Sequence, residues 1–274
     1  MNSLDEWLAL PVTQLKARLL DDDNAVPQGL LTALEQDARN GARQLAAQLR
    51  KRRQANQIEG QRLRFLLKYE NELWQQGFKF VAGVDEAGVG PLAGPVVAAA
   101  AILPEGYKLR ELNDSKKLDA AQREKLAVQI KSDAVAWAVA QAEVAEIDRL
   151  NIYHAGLLAM RRAVESLTQK PDYVLVDART IPVIQQPQRG IIKGDSLSAS
   201  IAAASILAKT TRDALMDEFE RDYPGYGFAS HKGYPTPEHF AALRERGALP
   251  IHRRSFRPVR EVLGLEPQQG GLFE

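Results

Sequence analysis

Acidic residues stand at the ends of short apolar runs at three places in the chain: Asp85 with Glu86, Asp177, and Asp195. A single Asp after a strand is commonly a turn former or a helix N-cap. Three in one domain shift the balance, because the carboxyl edge of an α/β sheet is where ligands gather. Neighbouring strands lie about 5 Å apart, so carboxylates at their ends can converge to metal-bridging distance. Like charges that close repel unless cations sit between them. The 274-residue sequence contains no cysteine, which removes disulfides, thiolate zinc sites and a cysteine nucleophile. Hard oxygen donors then point to Mg²⁺ or Mn²⁺. Two such ions about 4 Å apart would support in-line phosphoryl displacement.

The elements that must position these acids read as a mixed sheet. Phe78 to Asp85 predicts a strand, Gly88 to Pro95 a Gly/Pro-rich turn, and Val96 to Leu103 the hairpin partner. Asp119 with Gln122 has capping-box chemistry for a helix to about Ile130. Ala134 to Val144 alternates as a third strand, and Ile147 to Leu167 carries apolar residues at helical spacing. Tyr173 to Val176 predicts a buried strand ending at Asp177, and Gly190 to Lys193 another ending at Asp195. Ser198 to Phe219 predicts a long helix, whose Ala202-Ala203-Ala204-Ser205 stretch permits close approach to a sheet. Thr236, Pro237 and Gly247 bound a further helix. The order implies an α/β fold, a mixed β-sheet flanked by helices.

Hydrophobic residues at 45% and charged residues at 26% supply a real core and exclude wholesale disorder. The net charge is +1, so any surface for a polyanion must be local. No apolar run is long enough to span a membrane, and Met1-Asn2-Ser3-Leu4-Asp5-Glu6 lacks the features of a signal peptide, which reads as a cytoplasmic protein with no membrane partner. Composition changes near residue 78. Residues 1–77 read as an α-helical N-terminal extension, 78–260 as the α/β domain and 261–274 as a mobile tail. The extension is polarised: residues 1–38 carry seven acids against two bases, and residues 39–68 nine bases against one acid. Its run Arg50-Lys51-Arg52-Arg53 reads either as a solvated helix face or as a phosphate-contacting extension.

The segment Gly83-Val84-Asp85-Glu86-Ala87-Gly88-Val89-Gly90-Pro91-Leu92-Ala93-Gly94-Pro95 resembles the opening motif of type 2 ribonuclease H, the bacterial ribonuclease HII family. Asp114-Ser115-Lys116-Lys117-Leu118 is similar to that family's DSK segment. Val176-Asp177, Lys193-Gly194-Asp195, and Ser200 to Lys209 with Arg212-Asp213 follow in order. So do His231-Lys232-Gly233-Tyr234 and His252-Arg253-Arg254-Ser255-Phe256. The resemblance covers roughly residues 78–260, and the N-terminal segment resembles the helical extension of some members. It implies a ribonuclease H-like fold and cleavage of the RNA strand of RNA–DNA hybrids. It also implies cleavage 5′ of ribonucleotides embedded in duplex DNA, leaving 5′-phosphate and 3′-hydroxyl ends. The family's four metal-site carboxylates carry over onto Asp85, Glu86, Asp177 and Asp195, with Mg²⁺ or Mn²⁺ as cofactor. Asp85 lies centrally and is the expected bridging ligand. Glu86 faces the other way on a strand and can join only if the backbone turns there, which Gly88 and Gly90 make feasible.

Sensing one ribonucleotide requires a contact to its 2′-OH. The family does this with a Gly-Arg-Gly loop and a Tyr. Tyr234 matches the Tyr, against the plainer reading of a turn residue before Pro235. The loop departs from the pattern: it reads Gly88-Val89-Gly90, which keeps the backbone donors and lacks the guanidinium. Lys116, Lys209 and Lys232 are expected phosphate contacts from their motif positions, while His231 and His252 read as structural or substrate-side. The alternative function is a catalytically weak nucleic-acid-binding protein on the same fold; retention of all four carboxylates counts against it. The chain ends Gln269-Gly270-Gly271-Leu272-Phe273-Glu274, similar to the short motif by which bacterial replication proteins bind the sliding clamp. There Gln269 would anchor, and Leu272 and Phe273 would fill an apolar pocket; the other reading is a frayed end. The family precedent is a monomer.

Overall fold

The computed structural model describes residues 4–21 and 25–265. It divides into two compact units, Met1–Arg64 and Phe65–Glu274. The first contains α1 (Leu4–Leu8), α2 (Val12–Lys16), α3 (Leu30–Glu35) and most of α4 (Asn40–Leu66). Ala42, Leu45, Ala46 and Leu49 recur at helical spacing on α4, and this stripe packs with Leu15, Leu19, Leu30 and Leu34.

The second unit begins earlier than the composition change at residue 78. The reason is α5 (Lys68–Gln75), which belongs to it. Leu73 joins a cluster with Val81, Leu175 and Ile201. Glu70 is fully buried, and its Oε1 accepts hydrogen bonds from Ser200 N at 2.9 Å, Ser200 Oγ at 2.6 Å and Ser198 Oγ at 2.5 Å. These residues open the long helix over the sheet, so the Glu70 carboxylate satisfies donors that a helix start leaves unpaired. Burial pushes its pKa up, against the pull of those hydrogen bonds.

The sheet has five strands in the order β3-β2-β1-β4-β5: β1 (Val81–Ala87), β2 (Val96–Ile102), β3 (Ala136–Ala142), β4 (Tyr173–Asp177) and β5 (Gln188–Ile191). β1, β2 and β3 pair antiparallel, while β4 and β5 add in parallel to β1. β2 is buried on both faces. Its Val96, Ala98, Ala100 and Ile102 pack on the side of Ala155, Ala159 and Met160; Ala99 and Ala101 pack on the side of Ala203, Ile206 and Leu207. This is the two-residue alternation of a strand, filled on both sides with small residues so that helices approach closely. The helices on those sides are α6 (Ala120–Asp133), α7 (Val144–Leu150), α8 (Ile152–Glu165) and α9 (Ala199–Asp222). α9 comes nearest: a methyl placed on Gly83 of β1 would lie 2.0 Å from the Ser200 carbonyl carbon.

Several boundaries differ from the sequence expectation. The helix expected over 147–167 is two helices, because Asn151 takes a positive φ of 66° and its side chain caps α8 by accepting from His154 N at 3.1 Å. β5 covers residues 188–191, earlier than the run 190–193, and Asp195 sits beyond it on a 3₁₀ turn, Gly194–Ser196. The chain closes with α10 (Phe228–His231), α11 (Pro237–Arg246) and α12 (Arg257–Val262). Among the described residues no helix is long and apolar enough to cross a membrane. Gln269, Leu272 and Phe273 lie outside the described residues.

Candidate active site

The register of the sheet decides which acids meet. Val84 of β1 pairs with Val176 of β4, so the next residues, Asp85 and Asp177, share one end of adjacent parallel strands. Asp177 Oδ1 accepts from Gly194 N at 2.7 Å, which ties the end of β4 to the turn carrying Asp195. Lys116 Nζ then lies 3.5 Å from Asp195 Oδ2. One cleft of about 210 Å³ is lined by Asp85, Glu86, Asp177, Lys116 and Lys209, with Gly88 to Gly90 and Tyr234 on its wall.

Asp85 and Asp195 are buried. Burial pushes the Asp85 carboxyl well above the usual carboxylate range, and Glu86 and Asp177 push it further; the Ser205 hydroxyl opposes this. Glu86 is raised by burial and by Asp177, with Arg179 pulling the other way. Asp195 is raised by burial, then by Asp114 and Asp177. These acids repel each other in a poorly solvated cleft, an arrangement that favours a cation. Glu86 Oε2 is buried with no hydrogen-bond partner, a free hard donor.

β1 runs on through Ala87 with no turn at Glu86. Asp85 and Glu86 start on opposite faces of the strand, yet both side chains reach the same cleft, so Glu86 joins without the turn; it also meets Arg179, with Nη2 2.9 Å from Oε1. Among the described residues no group of three or more Asp, Glu or His side chains is already arranged to hold a metal ion.

The cleft is also lined by the Gly88–Gly90 loop, and the segment 88–95 is held by two buried arginines. Gly88 has φ 94°, and a methyl there would strike Arg212 Nε at 2.1 Å. Arg212 is buried and donates to Pro95 O at 3.2 Å, Ala93 O at 3.1 Å and Lys232 O at 3.0 Å. Arg253 is fully buried and donates to the carbonyls of Gly88, Val89, Pro91, Gly94 and Pro95 at 2.6–3.3 Å. Burial pushes the Arg253 pKa down to about 9, and the nearby Arg212 charge adds to this. A guanidinium buried there cannot touch a substrate phosphate. Arg212 also bridges the loop to the segment carrying Tyr234. A methyl at Gly90 would stand 3.5 Å from the Tyr234 ring, and Lys209 Nζ lies 6.0 Å from that ring's centroid.

The three lysines are placed differently. Lys116 and Lys209 line the cleft, with Lys209 Nζ 2.7 Å from Asp213 Oδ1. Lys232 is turned away onto Asp217 and the Asp213 carbonyl. His252 is fully buried, its Nε2 3.1 Å from His239 Nε2, and His231 stacks on His239. In the N-terminal unit, Arg50 pairs with Glu35 at 2.6 Å and Arg52 donates to Leu19 O at 3.0 Å, so half of the basic run has internal partners. Sequence reasoning missed Glu70 and Arg179, and passed over Arg212 and Ser205 as letters of a motif; no local pattern marks a charged residue destined for burial.

The chain matches the ribonuclease HII family over residues 82–259 and the ribonuclease HII N-terminal domain over residues 11–74. It is 63% identical over 265 residues to the ribonuclease HII of Myxococcus xanthus, spanning 96% of this chain and 90% of that one. The chain belongs to the ribonuclease HII family. It is an enzyme of the ribonuclease H class, a hydrolase and endonuclease. Ribonuclease H2 from Pyrococcus horikoshii shares the fold at 29% identity and a TM-score of 0.59, over 67% of this chain and 96% of that one. Ribonuclease HII of Archaeoglobus fulgidus, solved as a complex with PCNA, matches at 25% identity and a TM-score of 0.56, over 66% of this chain and 96% of that one.

Proposed function

We propose that this ribonuclease HII cleaves the RNA strand of RNA–DNA hybrids and nicks 5′ of ribonucleotides embedded in duplex DNA. The supporting observation is one cleft lined by Asp85, Glu86 and Asp177 together with the Gly88–Gly90 loop and Tyr234. The repelling carboxylates and the unpartnered Glu86 Oε2 fit a hard divalent ion, so Asp85, Glu86, Asp177 and Asp195 would hold Mg²⁺ or Mn²⁺. Such ions supply an activated water and a counter-charge for the leaving 3′ oxygen, which gives 5′-phosphate and 3′-hydroxyl products.

The chain's own residues do the rest. The loop amides of Val89 and Gly90 face the ribose and receive its 2′-OH, while the Tyr234 ring flanks the sugar. Val89 offers no guanidinium, so affinity rests on backbone donors and on Lys116 and Lys209 at neighbouring phosphates. Lys232 contributes once its ammonium leaves Asp217. The tail residues Gln269, Leu272 and Phe273 dock the enzyme on a sliding clamp; the archaeal relative's complex with PCNA makes that partner reasonable for this family. On this reading the enzyme acts in the cytoplasm, at replicated DNA.

The test is a DNA duplex carrying one ribonucleotide, incubated with Mg²⁺, with Mn²⁺ and with EDTA. Nicking 5′ of the ribonucleotide in the first two, and none in EDTA, is expected. Tight binding without nicking under every condition would instead establish the catalytically weak binding protein.

A further inference from the structure

Arg179 stands two residues past Asp177, and its side chain turns to Glu86, one of the acids that line the cleft. Nη2 lies 2.9 Å from Glu86 Oε1, in a pair whose side chains are 17% and 10% exposed. The guanidinium also lies over the Tyr153 ring, 5.1 Å from its centroid. Nη1 is buried without a partner, and a methyl at Gly156 of α8 would come within 2.9 Å of it. The side chain is therefore seated by an acid, an aromatic face and a glycine. Glu86 in turn has one oxygen on this cation and the other, Oε2, buried and unpartnered.

One carboxylate in a poorly solvated cleft cannot give full ion-pair strength to two cations at once. We propose that Arg179 is a tethered counter-cation that competes with the divalent ion for Glu86, holding this carboxylate in the metal-free enzyme and setting the metal affinity of the cleft. The inference rests on the metal-site reading above. A metal ion drawing on the free Oε2 then has to weaken the 2.9 Å ion pair on Oε1, and the measured affinity is reduced by that cost. Tyr153 supplies the other half of the device: its face keeps the guanidinium beside the cleft after Glu86 turns away. A purely structural Arg179 predicts the opposite sign, because its loss would loosen the site and weaken metal binding.

The experiment is calorimetric titration of Mn²⁺ into the full-length protein without nucleic acid. It compares the parent, Arg179→Gln, Glu86→Gln and the double variant. Arg179→Gln is expected to lower the Mn²⁺ Kd by roughly five- to tenfold, the scale of removing one competing, partly desolvated ion pair. In the Glu86→Gln background the same substitution is expected to change Kd by less than about twofold. Thermal melts in EDTA and in Mn²⁺ accompany the titration, with a larger metal-induced rise in Tm expected for Arg179→Gln. Should that variant fail to fold, Arg179→Lys serves, with an intermediate gain in affinity. If the parent binds Mn²⁺ and the Arg179 variant binds equally or more weakly, the competition is overturned while the metal site stands. Tighter binding that persists in the Glu86→Gln background overturns it as well, since the gain would not pass through Glu86. A parent that binds no Mn²⁺ removes the metal-site reading, and this inference with it.

Discussion

Arg253 Nη2 donates to the carbonyl oxygen of Gly88 at 2.6 Å, across 165 positions of sequence. Five carbonyls of the loop share the five N–H groups of this one guanidinium. Among the described residues no carboxylate forms an ion pair with Arg253, and those oxygens, with the Asp148 charge nearby, offset the cost of burying the charge. The shape of the Gly88–Pro95 loop is thus fixed from behind, by a fully buried residue.

Arg253→Lys keeps the charge but offers three donors to five acceptors. Losing about two charge-assisted hydrogen bonds costs about 3 kcal/mol, a fall in Tm of roughly 6–12 °C for a domain of this size. With the loop loosened, KM for a duplex with one ribonucleotide should rise about fivefold while kcat changes less than about twofold. Steady-state kinetics below the new Tm checks the split; a loss confined to kcat would place Arg253 in the chemical step instead.

Asp85→Asn removes the acid nearest the middle of the site. Losing about 3 kcal/mol of transition-state stabilisation slows cleavage by roughly two orders of magnitude or more. The metal-free protein should lose no thermal stability, because Glu86 and Asp177 already repel this buried carboxylate. Single-turnover rates at saturating Mg²⁺ decide the matter, and near-parental turnover contradicts the assignment.

Val89→Arg supplies the guanidinium that the family pattern expects. It should raise activity on a single embedded ribonucleotide and steepen the salt dependence of binding by about one unit. Val89 is half-buried against the core, so a small loss of stability, under about 1 kcal/mol, accompanies the gain. Binding isotherms across a salt series test this; parallel slopes mean that the valine loop is no deficit.

Lowering the pH should weaken the fold through His252. This imidazole is fully buried between His239 and the Tyr226 and Phe228 rings, and burial holds its pKa down to about 4 against an ordinary 6.5. A depressed folded pKa means that the unfolded chain binds the proton first. The stability is intact above pH 6.5 and drains away as pH falls toward 4, with about 2 kcal/mol gone at pH 5. Urea unfolding at pH 7.5 and pH 5.0 measures it, and His252→Gln should flatten the difference.

The tail carries its own test. Titrating a purified sliding clamp with the parent and with a Leu272→Ala/Phe273→Ala variant should give micromolar binding that the variant loses. Equal binding by the two, or none by either, removes the clamp contact and leaves the catalytic reading untouched.

β2, and β4 with Asp177 at its end, were readable because each is a local pattern, an apolar run and, for β4, a carboxylate after it, whereas β5 ends before the run that leads to Asp195. The capping box at Asp119 and Gln122 was readable for the same reason, and both of its hydrogen bonds are made. Partners were not readable. Arg253 was visible only as one letter of a motif, since nothing nearby says that five carbonyls wait 158 or more positions away. Glu70 carried no local signal, and its burial depends on Ser198 and Ser200 far along the chain. Asn151 hid a break between two helices, because apolar spacing continues across it.

Gly83 lies two positions before Asp85 and makes no contact with the cleft, yet the close pass of α9 leaves no room there for even a methyl group. In a saturation library this position should therefore be as intolerant as the acids, whereas Gly60, with nothing within 4 Å of a methyl, should accept most replacements. A selection for activity would score Gly83 and Asp85 alike. The two could be told apart only by asking whether the inactive protein still folds, so intolerance by itself would overcount the residues that do chemistry.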